Sequence, residues 1–400
     1  MSRISELIKE KCPNGVEYKS IKDLCIENFW VMPATPNYQN VGIPYITSKN
    51  IRNGSVNFDN VKYIDYEDYE NISSSRPIKE NDFLISMIGT IGEVGIVKSD
   101  DLPFYGQNMY LLRLDTKQIN IKFFYHYFIS DKVRNILFGE KNIGNQGYLK
   151  TKNIENIKIP LPDKEVQEEI VRILDKFGEL EAELEAELEA RKQQYEFWRE
   201  KLLTSTNKYK LGDIAKFTYG FTDKALDFGD ARYIRITDIT EDGSLSNNDC
   251  KYLNITNANS KYVLNKGDIV VARTGASFGK TLYFSGDFPS IYASFLIKIE
   301  LDNEIILNRY YWHFSKSSLY WNQANNLVSK AGQPQFNSNA IKKIEIPLPS
   351  LEEQKRIINI LDKFDKLVND ISEGLPAEIG LRKKQYEYYR NKLLSFEELS

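Results

Sequence analysis

The stretch GASFGKT, Gly275–Thr281, holds almost the residues of a loop that cradles phosphate. That chemistry needs four residues between two glycines, then Lys and Ser or Thr, so that backbone N–H groups and the lysine meet one anion. Here only Ala276–Phe278 stand between the glycines. The related stretch in the other half of the chain reads GTIG and is followed by Glu93, an acid that repels phosphate. The segment is therefore expected to be a tight turn joining two strands. Such a turn offers Arg273, Thr274, Ser277 and Lys280 to a polyanion.

Other candidates for chemistry fall away in the same manner. The two histidines, His126 in FFYHYF and His313 in YYWHF, lie in aromatic helical stretches. Without neighbouring Cys, His or carboxylates they read as packed core histidines, not as ligands or catalysts. Cys12, Cys25 and Cys250 are odd in number, scattered and form no CxxC. They give neither a zinc site nor a disulfide framework, and they suit a reducing cytoplasm. PDKE at Pro162 lacks the second half of the common nuclease pattern. No glycine-rich methyltransferase loop and no NPPY-type motif is present. The chain is expected to be non-catalytic, with no metal and no cofactor of its own.

The elements that would position these residues are written twice. IPLP occurs at Ile159–Pro162 and Ile346–Pro349, and ILDKF at Ile173–Phe177 and Ile360–Phe364, both offset by 187. RKQQYEFWREKLL begins at Arg191 and RKKQYEYYRNKLL at Arg382, an offset of 191. The second copy has therefore gained four residues, about one helical turn. Upstream, YKSIKDLC at Tyr18 answers KYKLGDIA at Lys208, and YITSKNI at Tyr45 answers YIRITDI at Tyr233. NDFLISMIGTIGEVGIV at Asn81 answers GDIVVARTGASFGKTLYF at Gly267. NQGYLKTKNIENIKIPLP at Asn145 answers GQPQFNSNAIKKIEIPLP at Gly332.

The order is domain, helix, domain, helix: 1–162, 163–206, 207–349 and 350–400. The first helical part has Val166, Ile170, Ile173, Phe177, Leu180, Leu184, Leu188, Tyr195, Trp198 and Leu202 at threes and fours. It predicts a helix of ~40 residues, hence ~60 Å. It contains ELEA three times over, Glu179–Ala190. The second copy meets EGLPAEIG, where Gly374 and Pro376 are expected to kink or interrupt it. In the globular parts DFLISMI, GDIVVAR and FLIKIEL read as strands, and IKFFYHYFISDKVRNILF and NRYYWHFSKSSLYWNQA as helices. The fold class is thus α+β, a mixed α/β domain made twice and combined with long helices.

A length of 400 residues suits two or three domains, with no apolar run of ~18 residues that could span a bilayer. MSRISELIKEKC lacks the apolar core of a signal peptide. Net charge is −3 overall, but residues 163–204 carry 7 basic and 13 acidic residues and 350–400 carry 9 and 10. The globular parts keep 37 basic against 33 acidic, a weak tilt that permits a polyanionic partner. Most of the 25 tyrosines and 21 phenylalanines alternate with Ile and Leu and read as core, not as base-stacking platforms.

The ordered set (CPNGVEYK, paired PYI…I segments, a G…Q loop before IPLP, ILDKF, then RKxQYExxRxKLL) resembles the specificity subunit of a type I restriction–modification system. The resemblance covers essentially the whole chain. It implies two target recognition domains, each reading one half of a split DNA sequence, and two antiparallel coiled-coil helices as a spacer. It implies docking to two modification subunits, which carry S-adenosylmethionine and methylate adenine, and a link to restriction subunits. A direct duplication folded as an antiparallel pair has approximate two-fold symmetry, as do two half-sites on duplex DNA. One ELEA adds ~6 Å of helix against ~3.4 Å per base pair, so the repeat is expected to act as a ruler for the unread gap.

Base reading needs Arg, Lys, Asn, Gln, Ser and Thr at base edges, with more on phosphates. Equivalent loops with differing polar residues are the natural reading heads. In the first domain these are Thr47, Ser48, Lys49 and Asn50, then Ser86 and Thr90, Gln107 and Asn108, Gln146 and Tyr148. In the second they are Arg235 and Thr237, then Arg273, Thr274, Ser277 and Lys280, Tyr292 and Ser294, Gln333, Gln335 and Asn337. Two other readings compete: a coiled-coil scaffold that binds only protein, and a stand-alone enzyme holding a nucleotide at GASFGKT.

Overall fold

The structure is a computed structural model, and it describes residues 3–89, 91–139, 149–329 and 334–399. The chain divides into two compact units: residues 1–182 with 380–400, and residues 183–379.

The first unit begins with a strand, Glu17–Ser20, that pairs antiparallel with Lys158–Leu161, so IPLP closes onto YKS. A four-stranded antiparallel sheet follows in the order Cys25–Val31, Met109–Leu114, Phe83–Ser86, Val94–Ile96. Phe83–Ser86 is buried along its whole length because both faces of the sheet are covered. Side chains alternate between those faces. Phe83 and Ile85 join the cluster formed with the helices Ile121–Phe128 and Asp131–Gly139. Leu84 points to a second cluster, with Phe29, Met109 and Leu111, under a three-stranded sheet. That sheet runs Lys62–Ile64, Ile43–Ile46, Tyr105–Gly106, and its last pairing is parallel.

The second unit repeats this plan. Lys208–Lys210 pairs with Glu345–Pro347. The four-stranded sheet is Ala215–Tyr219, Leu296–Leu301, Ile269–Ala272, Thr281–Tyr283. The three-stranded sheet is Tyr252–Leu253, Ala231–Ile234, Ser290–Tyr292, again with one parallel pair. Ile269 and Val271 face the helices, while Val270 and Ala272 face the other cluster.

Each stretch expected to form one helix after these sheets forms two. Asn308–Phe314 stops before Ser318–Leu327, and Ile121–Phe128 before Asp131–Gly139. The reason in the second unit is local hydrogen bonding by serine. Ser315 and Ser317 donate their hydroxyls to the carbonyls of Trp312 and Phe314, and Ser317 then caps the next helix by accepting from the Tyr320 N–H.

The first long helix is continuous over Lys164–Leu202, 39 residues, or about 58 Å. A buried glutamine fixes its start. Gln167 donates to the carbonyls of Pro162 and Gln118 and accepts from the Asn120 N–H. Gln354, its counterpart 187 residues on, makes the same three bonds to Pro349, Ile305 and Leu307. The second copy is broken into Leu351–Asn369 and Leu375–Leu393. Gly374 sits where a Cβ would come within 2.6 Å of the Asp370 and Lys366 carbonyl oxygens. Asp370 turns the chain by accepting from the N–H groups of Ser372 and Glu373.

Within the first unit the start of the long helix lies antiparallel to the C-terminal helix. Phe177 stacks on Tyr389 with centroids 5.5 Å apart, and Glu181 pairs with Lys383 at 3.3 Å. Within the second, Tyr195 stacks on Phe364 at 6.1 Å.

Candidate nucleic-acid interface

In each unit the loops at one end of the four-stranded sheet converge. In the first, the Met87 N–H donates to the Asn108 carbonyl at 3.1 Å and the Gln107 N–H to that of Ile46 at 3.1 Å. The Tyr45 hydroxyl reaches Gln107 Oε1 at 3.5 Å. Thr47–Asn50 is a capped turn in which the Thr47 N–H donates to Asn50 Oδ1 at 3.0 Å and Asn50 Nδ2 donates to the Asn57 carbonyl at 3.0 Å. Asn50 is thereby committed to the turn, and Lys49 is the exposed side chain of that group.

In the second unit the equivalent turn has Arg235 for Thr47 and Asp238 for Asn50. Arg235 is bonded to Asp238 at 2.8 Å and lies 3.4 Å from Asp249, and Asp238 is buried. Thr237 is exposed where the first unit has Lys49. The next group also converges. The Arg273 N–H donates to the Phe295 carbonyl at 3.0 Å, the Phe336 N–H donates to the Arg273 carbonyl at 2.7 Å, and Thr274 bridges to Gln335. Asn337 is exposed and caps a short helix by accepting from the Ala340 N–H at 3.1 Å. Ser277 and Gln335 are half-buried.

Several residues chosen by type do not present their side chains. Tyr292 is 1% exposed because it faces the cluster between the two sheets of its unit. Ser86 is fully buried and accepts the Glu93 N–H at 3.0 Å. Ser48 and Thr274 are buried as well. Ser294 contributes its backbone carbonyl, which accepts from Arg273 Nε at 3.0 Å. Lys280 is tied to Glu241 at 2.5 Å. Thr90, Gln146, Tyr148 and Gln333 lie outside the described residues. The GASFGKT segment is the turn between the antiparallel strands Ile269–Ala272 and Thr281–Tyr283. Its Gly279 packs so that a Cβ would touch the Trp321 ring at 2.9 Å.

The structure adds residues that the choice by type missed. The Arg273 guanidinium lies 5.2 Å from the Tyr219 ring centroid and 5.4 Å from that of Phe295. Tyr219 is held by Ser338, whose hydroxyl is 3.0 Å and whose N–H is 3.2 Å from the phenol oxygen. Partial burial opposes ionisation of Tyr219, but the Ser338 bonds and the positive charges of Arg273 and Lys342 hold its pKa below the ordinary value. Tyr219 stands at the end of a strand just before Gly220, in FTYGFT, and that placement was the available signal. Among the described residues no group of three or more His, Cys, Asp and Glu is arranged to hold a metal ion. No helix of the described residues is long and apolar enough to cross a membrane.

Comparison with known proteins gives one family. Its model, the type I restriction modification DNA specificity domain, matches residues 13–190 and again 205–381. A putative type I restriction enzyme specificity subunit of Haemophilus influenzae is 33% identical over 308 residues, 70% of this chain and 73% of that one. The EcoR124I/EcoR124II specificity subunit of Escherichia coli is 33% identical over 266 residues, 60% of this chain and 63% of that one. Among solved structures, the type I restriction–modification S subunit from M. genitalium matches with a TM-score of 0.55 at 17% identity, covering 96% of this chain and 98% of that one. A chain solved in work on complex assembly and conformational transition of the type I R-M system matches with a TM-score of 0.61 at 15% identity, with the same coverage. At these identities the two structures establish likeness of fold.

Proposed function

The chain belongs to the type I restriction–modification DNA specificity family, and from that premise we propose how its parts divide the work. It is a non-catalytic, sequence-specific DNA-recognition subunit. Each of its two domains, 1–162 and 207–349, reads one half of a bipartite, gapped target. The helical parts, 163–206 and 350–400, dock two modification subunits that bind S-adenosylmethionine and methylate adenine, and restriction subunits join that assembly. The complex works on duplex DNA in the cytoplasm.

One observation carries this reading. The two units keep the same loop framework down to individual hydrogen bonds, yet differ in the side chains carried on it, as where Lys49 is exposed in one and Thr237 in the other. The N–H of Met87 and of Arg273 donates to the carbonyl of Asn108 and of Phe295 respectively, but one side chain is an apolar thioether and the other a guanidinium. A scaffold has no use for two copies of one frame with different polar surfaces. Two half-sites of different sequence require that difference, because phosphate contacts are common to any DNA whereas base contacts are not. We assign the reading surface to Lys49, Gln107 and Asn108 in the first domain. In the second it comprises Thr237, Arg273, Ser277, Gln335 and Asn337, since Arg235 is taken up by Asp238 and Asp249. The repeat Glu179–Ala190 sets the number of base pairs left unread.

The test is a base-resolution methylome of DNA from cells expressing this chain with its modification subunit, beside a variant lacking one ELEA. The expected result is a split motif with adenine methylated in both halves, and a shorter gap in the variant. An unchanged gap would reduce the repeat to a solvated helix. No motif from a folded, associated complex would leave a protein-binding scaffold.

A further inference from the structure

We propose that Arg273, clamped between Tyr219 and Phe295, is the residue by which the second domain reads a guanine in its half-site. This rests on the DNA-reading function proposed above and names a base and a side chain within it.

The second domain has four arginines. Arg309 is bound to Asp362 at 2.7 Å and Arg235 to Asp238 at 2.8 Å. Arg232 donates to the Ser246 carbonyl and to Asn247. Arg273 alone among them has neither a carboxylate partner nor a hydrogen bond on its terminal nitrogens among the described residues. Its one side-chain hydrogen bond uses Nε, which donates to the Ser294 carbonyl at 3.0 Å. The aromatic rings, 40% and 52% exposed, stand beside the guanidinium and leave the two Nη groups without a hydrogen-bond partner among the described residues.

This is the geometry that guanine requires. Its O6 and N7 accept a planar two-pronged donor, and Arg supplies one. The clamp also removes the conformational entropy that a free arginine would lose on binding. Its backbone is pinned on both sides, at the N–H by Phe295 and at the carbonyl by Phe336. Tyr219 is pinned in turn by Ser338.

A guanidinium also suits phosphate, and comparison with the first domain separates the two. Strand register makes Trp30 the counterpart of Tyr219, since Trp30 pairs with Tyr110 and Tyr219 with Ile297. It makes Met87 the counterpart of Arg273 and Asn108 that of Phe295. Met87 is fully buried and has no charge. A phosphate contact is needed equally by both domains, because both grip the same backbone. A base contact is the kind of interaction expected to vary between them, and here the whole clamp varies.

The experiment is a methylome of cells carrying the full chain with its modification subunit, for the parent and for Arg273→Ala and Arg273→Gln. In the parent one half-site contains a G·C pair at the position concerned. In Arg273→Ala that position becomes degenerate while every other position, including the whole other half-site, is retained. Discrimination there falls by on the order of tenfold to a hundredfold. Arg273→Gln shifts the preference towards adenine, which glutamine matches. Competition binding of the assembled methyltransferase with duplexes changed at that single base reads the same ratio for a variant too slow to methylate. The proposal is overturned by an unchanged motif, by a half-site without G·C, or by a uniform loss at all sites with base preference intact, which marks a phosphate contact. Absence of a split motif in the parent itself would count against the DNA-reading function instead.

Discussion

In the first unit His126 bonds Asp175 through Nε2 at 2.9 Å and Tyr386 through Nδ1 at 2.9 Å. In the second, His313 bonds Asp362 at 2.7 Å and Tyr195 at 3.1 Å in the same order. Both histidines are buried, and both join the recognition domain to two helices. In each case the aspartate comes from one copy of the helical sequence and the tyrosine from the other. The joints then diverge. Asp175 has Lys122 as its further partner, at 2.5 Å and largely exposed. Asp362 has Arg309, at 2.7 Å, and beside it stands a second acid, Asp365, close to Lys316 at 3.3 Å and Arg309 at 3.4 Å. The position of Asp365 is held in the first unit by Gly178, with open space around it. The duplicated core of the joint is a hydrogen-bonded set of Asp, His and Tyr, and among the described residues only the second copy has buried a charge network on top of it. Such a network is costly unless complete, so the second joint is expected to be the more sensitive of the two to single changes.

The largest effect expected is from Asp365→Ala. It strands Lys316, which burial has already pulled down to a pKa of about 8 against the attraction of Asp365. Because Arg309 loses a partner as well, the loss should be about 3–5 kcal/mol at pH 7, and the part due to Lys316 should shrink as pH rises and the lysine gives up its proton. Hydrogen exchange would show it as lost protection over Asn308–Phe314 with Ile121–Phe128 unchanged. Equal loss in both helices would mean that the joints are not independent.

Next comes acid. Burial, only partly opposed by Asp362, lowers the pKa of His313 to about 4 from an ordinary 6.5. Between those values the unfolded chain binds a proton that the folded one refuses. Stability is therefore lost as pH falls from 6.5 to 4, by roughly 3 kcal/mol, and this group adds nothing below that. Carboxylates act later. Hydrogen bonding from His126 holds Asp175 below its ordinary value, so its contribution is present above 3.8 and is lost as pH falls through the lower folded value. Denaturant midpoints measured from pH 7 to pH 4 should fall in the parent and flatten in His313→Gln. A slope that survives the substitution would place the effect elsewhere.

The smallest effect has the opposite sign. Gly178→Ala fills open space on a helix and should stabilise the first unit by about 1 kcal/mol. Thermal melting of the parent and of Gly178→Ala checks it, and a lower midpoint in the variant would overturn it.

Much of this architecture was legible beforehand, for reasons that differ by residue. The two-fold plan came from the offset of 187, and the break in the second helical copy from Gly374 and Pro376, because backbone chemistry is local. The histidines were legible as buried, but their partners were not. Asp175 is 49 residues from His126 and Tyr386 is 260, and no spacing rule connects them. The reading surface was legible only as loops. Ser86 and Tyr292 are polar types at strand ends, and a strand turns alternate side chains inward whatever their type.

Sequence alone therefore determined the duplication, the long helix and the break in its second copy, central strands of the four-stranded sheets, and the family. These depend on periodicity and on residues near one another in the chain. Tertiary structure decided which polar groups are satisfied. Arg235 and Lys280 are neutralised by Asp238 and Glu241, while Arg273 is clamped and its terminal nitrogens bond nothing among the described residues. A charge is available or spent according to what the fold brings within about 4 Å of it, and that distance is set by strand pairing and packing across the whole unit.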